Sequence, residues 1–303
     1  MPLYRKFSVY LREKFGCRVH RLCLDAGFTC PNRDGTVGYG GCHFCDNRAF
    51  SLSARMTGDL RQQIFKSMEY NRRRYGAQKF LAYFQPFSNT YAPVKVLREK
   101  YDVIREFPEI VGLAVGTRPD CLDEEKIDLL ASYTPDYEVW LELGLPSIHD
   151  RTLFLMNRNH SYADFLKAYW LARKRPLKIA AHVILGLPGE EEKEMMETAR
   201  ECGNLCLDGL KIHPLFIIKG TVLEKNLQQN PFPILTFSAY VQLTAEFLEL
   251  ISPETIIMRL TGECRPELLV APSWVNRKNE VIAGIEKWLQ EHNSCQGKKF
   301  QAK

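Results

Sequence analysis

Six apolar, β-branched runs separated by segments of helical spacing constrain this chain more than any other feature of it. They are "VHRLCLD" from Val19, "FLAYFQP" from Phe80, "VGLAVGT" from Val111, "YEVWLELGL" from Tyr137, "KIAAHVILG" from Lys178 and "GLKIHPLFII" from Gly209. Each has the length of one strand and reads as nearly unbroken apolar chain, the pattern of parallel strands covered on both faces. The intervening segments are helical in period. Leu60, Ile64, Phe65 and Met68 fall on one face, and Ser161 with Asp164 forms a capping-box pattern ahead of Phe165, Leu166 and Tyr169, in a helix that Pro176 stops. The acidic run Glu190, Glu191 and Glu192 suits the positive end of the next helix better than a metal site. Repeated βα units with right-handed crossovers make an α/β fold with a parallel sheet, open or curved into a barrel, and place the chemistry at the carboxyl ends of the strands. After residue 227 the pattern loosens into a loop, an amphipathic helix, a strand at "TIIMRL" and a closing helix at "NEVIAGIEKWLQEH". The expected organisation is an extension over residues 1–18, a core over 19–227, a C-terminal α/β extension over 228–292 and a disordered tail over 293–303.

Directly after the first strand comes "DAGFTCPNRDGTVGYGGCHFCDNRAF", in which Cys30, Cys42 and Cys45 are spaced C-x11-C-x2-C. The chain has ten cysteines, but no export signal accompanies them, so reduced thiols or metal ligands are expected, in a cytoplasmic protein with no membrane span. Gly35, Gly38, Gly40 and Gly41 give the loop freedom to fold Cys30 back onto the Cys42–Cys45 pair. A structural zinc site wants four ligands, and His43 inside the C-x2-C turn points away. A four-iron cluster held by three thiolates instead keeps one iron open. Spacing leaves three readings: a cluster, a zinc site, or buried cysteines. The net charge of +5 permits an anionic partner such as RNA. A basic helix carrying Arg61, Lys66, Arg72, Arg73 and Arg74 offers a surface for one, although arginines in a last turn also compensate the helix dipole.

With Phe44 inside "CHFC", this loop resembles that of the radical S-adenosylmethionine (SAM) enzymes, and the long gap after Cys30 resembles the branch containing the Elongator catalytic subunit. "LELGLPSIHDRTLFLMNRNH" and "HVILGLPGE" resemble that branch's fourth- and fifth-strand segments. "DAGFTCPNRDG", "GTRPDC", "KIHPLFIIKGT" and "RLTGE" resemble a bacterial group often called YhcC-like. The resemblance covers about residues 15 to 290 and implies a partial (β/α)6 barrel binding a [4Fe–4S] cluster and SAM, cleaved reductively to a 5′-deoxyadenosyl radical. It implies Cys30, Cys42 and Cys45 as cluster ligands, and Arg158 of "NRNH" as the partner of the cofactor carboxylate. It also implies Gln85, Asn89 and Thr90 as acceptors for the methionine amino group. The resemblance further implies that Phe44 belongs to the cofactor site and that Gly186, Leu187 and Pro188 form a turn against adenine. A reductant such as flavodoxin or ferredoxin is the implied partner.

The pattern departs from the family at three places. Pro146 replaces a glutamine that would meet the ribose, Asn159 stands where glycine is usual, and Phe216 stands where the sixth strand often carries histidine. His213, Lys219, Arg118 and Asp120 are candidate catalytic or orienting residues near the barrel mouth. Cys202 and Cys206, at i and i+4, are expected in the core, and Cys264 is a candidate reactive thiol. Three functions follow: modification of a tRNA wobble uridine, radical chemistry on a small metabolite, or a zinc-stabilised nucleic-acid-binding protein without catalysis.

Overall fold

The structure, a computed structural model, describes residues 2–50 and 59–301. In chain order the elements are α1 (Phe7–Phe15), β1 (Val19–Leu24), α2 (Asn47–Phe50), α3 (Leu60–Tyr75), β2 (Lys79–Phe84), α4 (Val94–Tyr101), β3 (Ile110–Thr117), α5 (Glu124–Ala131) and β4 (Glu138–Gly144). There follow α6 (Asp150–Leu155), α7 (Tyr162–Arg173), β5 (Lys178–Leu185), α8 (Glu192–Asn204), β6 (Gly209–Pro214), β7 (Ile217–Ile218) and α9 (Val222–Gln229). The chain closes with α10 (Phe237–Glu249), β8 (Ile256–Arg259), β9 (Leu269–Ala271) and α11 (Lys278–Glu291).

All six apolar runs are strands, and they pair in sequence order as β1-β2-β3-β4-β5-β6-β8, every pair parallel. Parallel neighbours need crossover helices, and this is where the helical segments lie. The sheet is curled into a seven-stranded half-barrel. Its last strand, β8, comes from the C-terminal segment, so the core and that segment share one sheet. The helix from Ser161 starts on the expected capping box, with Ser161 Oγ accepting from the Asp164 amide and the Asp164 carboxylate accepting from the Ser161 amide.

Strand period 2 sorts each strand into an outer face under the helices and an inner face lining the barrel. The lower interior is apolar. Trp140, Leu81, Ala114, Ala180, Ile256 and Met258 pack there with Phe7 and Leu11 of α1. The Phe7 and Trp140 rings meet edge to face at 5.5 Å.

The expected disordered tail is instead docked as far as Gln301, with residues 302 and 303 outside the described residues. The buried Gln296 side-chain amide donates to the Ser252 and Thr255 carbonyls at 2.6 and 2.8 Å and accepts from the Arg5 amide at 2.9 Å. Ser294 is buried against Glu249. One glutamine that satisfies three backbone groups ties both chain ends to the barrel, and composition does not reveal it. Of the two cysteines expected in the core, Cys202 is buried, but α8 ends at Asn204 and leaves Cys206 exposed at φ 47°.

Candidate functional site

The loop after β1 folds by its own backbone bonds. The Arg33 amide turns back to the Cys30 carbonyl at 2.8 Å, Val37 to Pro31 at 2.9 Å and Gly41 to Asn32 at 2.7 Å, which brings Cys42 beside the start of the loop. The segment after α6 clamps it. The Asn32 amide group donates to the Asn157 carbonyl at 2.6 Å, Asn157 donates to the Gly41 carbonyl at 2.9 Å, and Asn159 donates to Asn32 Oδ1 at 2.6 Å. Asn157 and Asn159 adopt φ of 50° and 52°. Asparagine is among the residues that tolerate this left-handed region, so it can stand where glycine is usual. The clamp places Arg158 with Nη1 3.5 Å from Cys42 Sγ and Nε 2.7 Å from His160 Nε2.

Cys30, Cys42 and Cys45 line one cavity at the carboxyl ends of the strands, together with Arg33, Phe44, Gln85, Gly116, Arg118, Gly144, Pro146, Arg158, Ile184, His213 and Phe216. All three thiols are free. Burial raises the Cys30 thiol, and burial together with Cys42 raises Cys45 to about 11, while Arg33 and Arg158 pull Cys45 the other way. Buried thiolates are costly alone, and a cationic metal centre would compensate them. Among the described residues no three His, Cys, Asp or Glu side chains converge to hold a single metal ion. The donor set, three free cysteine thiols on the wall of one cavity, fits the all-thiolate ligation of a [4Fe–4S] cluster. Gly144 leaves the room Arg158 needs, since a Cβ there would lie 2.4 Å from Arg158 Nη2.

Several other expected residues stand elsewhere. Asn89 and Thr90 are buried structural groups outside the cavity. Asn89 donates to the Gly116 carbonyl at 2.8 Å and Thr90 to the Cys121 carbonyl at 2.9 Å, so of the three expected acceptors Gln85 alone faces the cavity. Gly186 takes the left-handed turn, φ 86°, but Leu235 lies over it, and a Cβ at Gly186 would meet Leu235 at 2.9 Å. Leu187 is buried near Phe44. Neither of these residues nor Pro188 lines the cavity. Lys219 is exposed away from it, its amide bonded to the Leu268 carbonyl. Asp120 is also outside and holds Arg118 by a bidentate pair at 2.7 and 2.9 Å, which makes it an orienting group. Burial raises the Cys264 thiol to about 11, which fits an inert cysteine rather than a reactive one.

Beneath the cavity lies a layer that sequence reading missed: Tyr83, Glu142, His182 and Lys211, with Arg21 and Arg259 beside them. The fully buried Lys211 ammonium contacts Glu142 and donates to Tyr83 Oη at 3.0 Å, and His182 Nε2 lies 3.1 Å from Glu142. Burial opposes ionisation of Glu142, but Lys211, His182 and Arg21 hold its pKa well below the usual carboxylate range. Burial lowers His182 to about 3 and His213 to about 4, so both are neutral. A charge inside "WLELG", "LKIHP" and "IIMRL" was the available signal.

The chain matches the radical SAM superfamily model over residues 30–202 and the radical SAM C-terminal domain model over 207–291. It is 40% identical to protein YtqA of Bacillus subtilis over 98% of this chain and 93% of that protein. With protein YhcC of Escherichia coli the identity is 38%, over 96% of this chain and 93% of that one. A tRNA uridine(34) acetyltransferase of Dehalococcoides mccartyi is 28% identical over 61% of this chain and 40% of its own length. In fold, the chain is similar to the Elp3 of the archaeon Methanocaldococcus infernus, with TM-score 0.70 at 17% identity, over 92% of this chain and 64% of that one.

Proposed function

The chain belongs to the radical SAM superfamily, and from that premise we propose that it is a radical SAM enzyme whose Cys30, Cys42 and Cys45 hold a [4Fe–4S] cluster and whose substrate is a tRNA wobble uridine. The carrying observation is the convergence of three free thiols and Arg158 on one cavity at the strand ends. Cluster and SAM, when bound, supply one-electron chemistry that the side chains alone do not have. The protein's part is to bind and orient. Arg158, fixed by His160 and the asparagine clamp, presents a planar fork to the cofactor carboxylate. Gln85 offers an amide oxygen to its amino group, while Phe44, Ile184 and Phe216 make apolar walls that exclude water. Pro146 presents no side-chain amide, so ribose contacts must come from other groups. A one-electron donor such as flavodoxin or ferredoxin is the proposed partner.

The substrate reading is supported by the tRNA uridine(34) acetyltransferase relative and by the Elp3 fold likeness. A small acidic metabolite is the second reading, favoured by the charged layer under the cavity. After anaerobic reconstitution we expect about four irons per chain and reductive cleavage of SAM, both lost when any of the three cysteines becomes Ala. Comparing tRNA nucleosides by mass spectrometry, from cells with and without the gene, tests the substrate. An unchanged wobble-position profile would overturn the tRNA reading in favour of the metabolite.

A further inference from the structure

The charges around the cavity do not balance. Arg33 donates to the Cys45 carbonyl at 2.6 Å, Arg118 is paired with Asp120, and Arg158 is assigned to the cofactor carboxylate. Glu263, on the cavity wall, is held by Lys278 at 2.9 Å. Glu142 and Lys211 sum to zero wherever the proton sits between them. His182 and His213 are neutral. Among the described residues, two further guanidinium groups make no hydrogen bond at all. Arg21 stacks over the Phe7 and Tyr83 rings at 5.3 and 5.6 Å, lies 3.9 Å from Glu142 Oε1, and keeps a buried Nη1 without a hydrogen-bond partner. Arg259 lines the cavity, half-buried, and among the described residues no hydrogen bond or ion pair engages its side chain.

The position of Arg259 deepens the imbalance. In the register of β6 and β8 it stands directly across from Lys211, itself basic and already engaged by Glu142, so no carboxylate answers it from that position. Uncompensated positive charge at the wall of a low-dielectric cavity is costly to the folded protein, and an anion placed there relieves it. Arg158 reaches the end of β4, whose Gly144 carbonyl accepts from it at 3.5 Å, while Arg259 sits three strands further along the curl. The two arginines therefore address different ligand groups.

We propose that Arg259, backed by Arg21, is an anion-recognition subsite that receives a carboxylate or phosphate group of the substrate. A guanidinium fork binds either group in a bidentate manner. The proposal goes beyond the tRNA reading and does not depend on it, because a modified nucleoside and a free metabolite could each carry such a group into the barrel.

The test needs neither turnover nor RNA. Thermal unfolding of the cluster-loaded protein with SAM, so that Arg158 is occupied, is followed in sodium acetate, sodium phosphate or sodium chloride at equal ionic strength. Acetate, phosphate or both should raise the melting temperature by about 2 °C over chloride through binding to the native state alone, and whichever anion acts identifies the group. Arg259→Gln should abolish that rise while melting in chloride no lower than the wild type. Arg259→Lys should retain a weaker rise. If neither anion acts beyond chloride on the wild type, if Arg259→Gln keeps the rise, or if that variant melts several degrees lower in chloride, the subsite is overturned and Arg259 is structural. A negative tRNA profile leaves this result standing, so the two readings fail separately.

Discussion

The floor and the middle of the barrel are built on the same strands, one inward-facing position apart, and they solve opposite problems. At the floor, β4 and β5 present Trp140 and Ala180 to Phe7 and Leu11 of α1. Two residues further along, the same strands present Glu142 and His182; the buried Glu142 and Lys211 form an ionic layer, and neutral His182 hydrogen-bonds to it. The floor closes the barrel by apolar burial. The layer above surrenders that stability and retains charge, which fits a site that must orient polar ligands.

The largest expected effect comes from breaking the ionic layer on one side only. Lys211→Met strands Glu142 without its cation and should cost about 3–5 kcal/mol in urea unfolding, whereas Glu142→Leu with Lys211→Met should recover much of that loss. If the double variant is no more stable than the single, the pair is not the unit described here. The floor should respond as simple packing. Leu11→Ala should cost about 2–3 kcal/mol, the lower part of the range for truncated leucines because α1 can settle into the gap. It should leave iron content unchanged, and loss of the cluster in this variant would join the two regions functionally.

This contrast also explains what the sequence disclosed. Buried parallel strands read as unbroken apolar runs, so "VGLAVGT" and "KIAAHVILG" were unmistakable, and three cysteines after β1 marked the cavity. The ionic layer stayed hidden because Glu142, His182, Lys211 and Arg259 lie on four strands, and only the register between strands brings them together. Taken one at a time, each looks like a solvated residue. Loop polar groups misled in the opposite direction: Asn89 and Thr90 were expected to meet a ligand, but they turn inward to satisfy backbone carbonyls. The family resemblance supplied Arg158, yet the asparagine clamp that orients it follows only from contacts between residues more than a hundred positions apart.

At the mouth itself, Gly144→Ala separates binding from folding. The added Cβ, 2.4 Å from Arg158 Nη2, forces the guanidinium to shift. SAM affinity in a titration should fall about tenfold, the loss of one charge-assisted bond, with stability almost unchanged. Unaltered affinity would remove Arg158 from the cofactor site. A smaller effect follows from pH. His182 and His213 have folded pKa values near 3 and 4, below about 6.5 in the unfolded chain, so the unfolded state binds more protons between those limits. Their contribution is complete above pH 6.5 and is lost as the pH falls toward 4. Stability should drop by about 1 kcal/mol between pH 7 and pH 6, and His182→Asn should flatten that slope if the layer is its source.

The smallest effect is expected at the basic end of α3, which the sequence offers as an RNA-binding surface. Arg72 is engaged by Glu109 and Arg73 by Glu69, and α3 ends where the chain re-enters β2 at the floor end of the barrel. Paired arginines neutralise few phosphates, so replacing Arg72, Arg73 and Arg74 together by Gln should change the slope of log affinity for tRNA against log salt by less than about 1. The cations at the mouth lie at the opposite end of the strands. A slope that falls by about 2 to 3 in the triple variant would mean that RNA wraps from mouth to floor, and that the floor end, for all its apolar packing, belongs to the substrate surface.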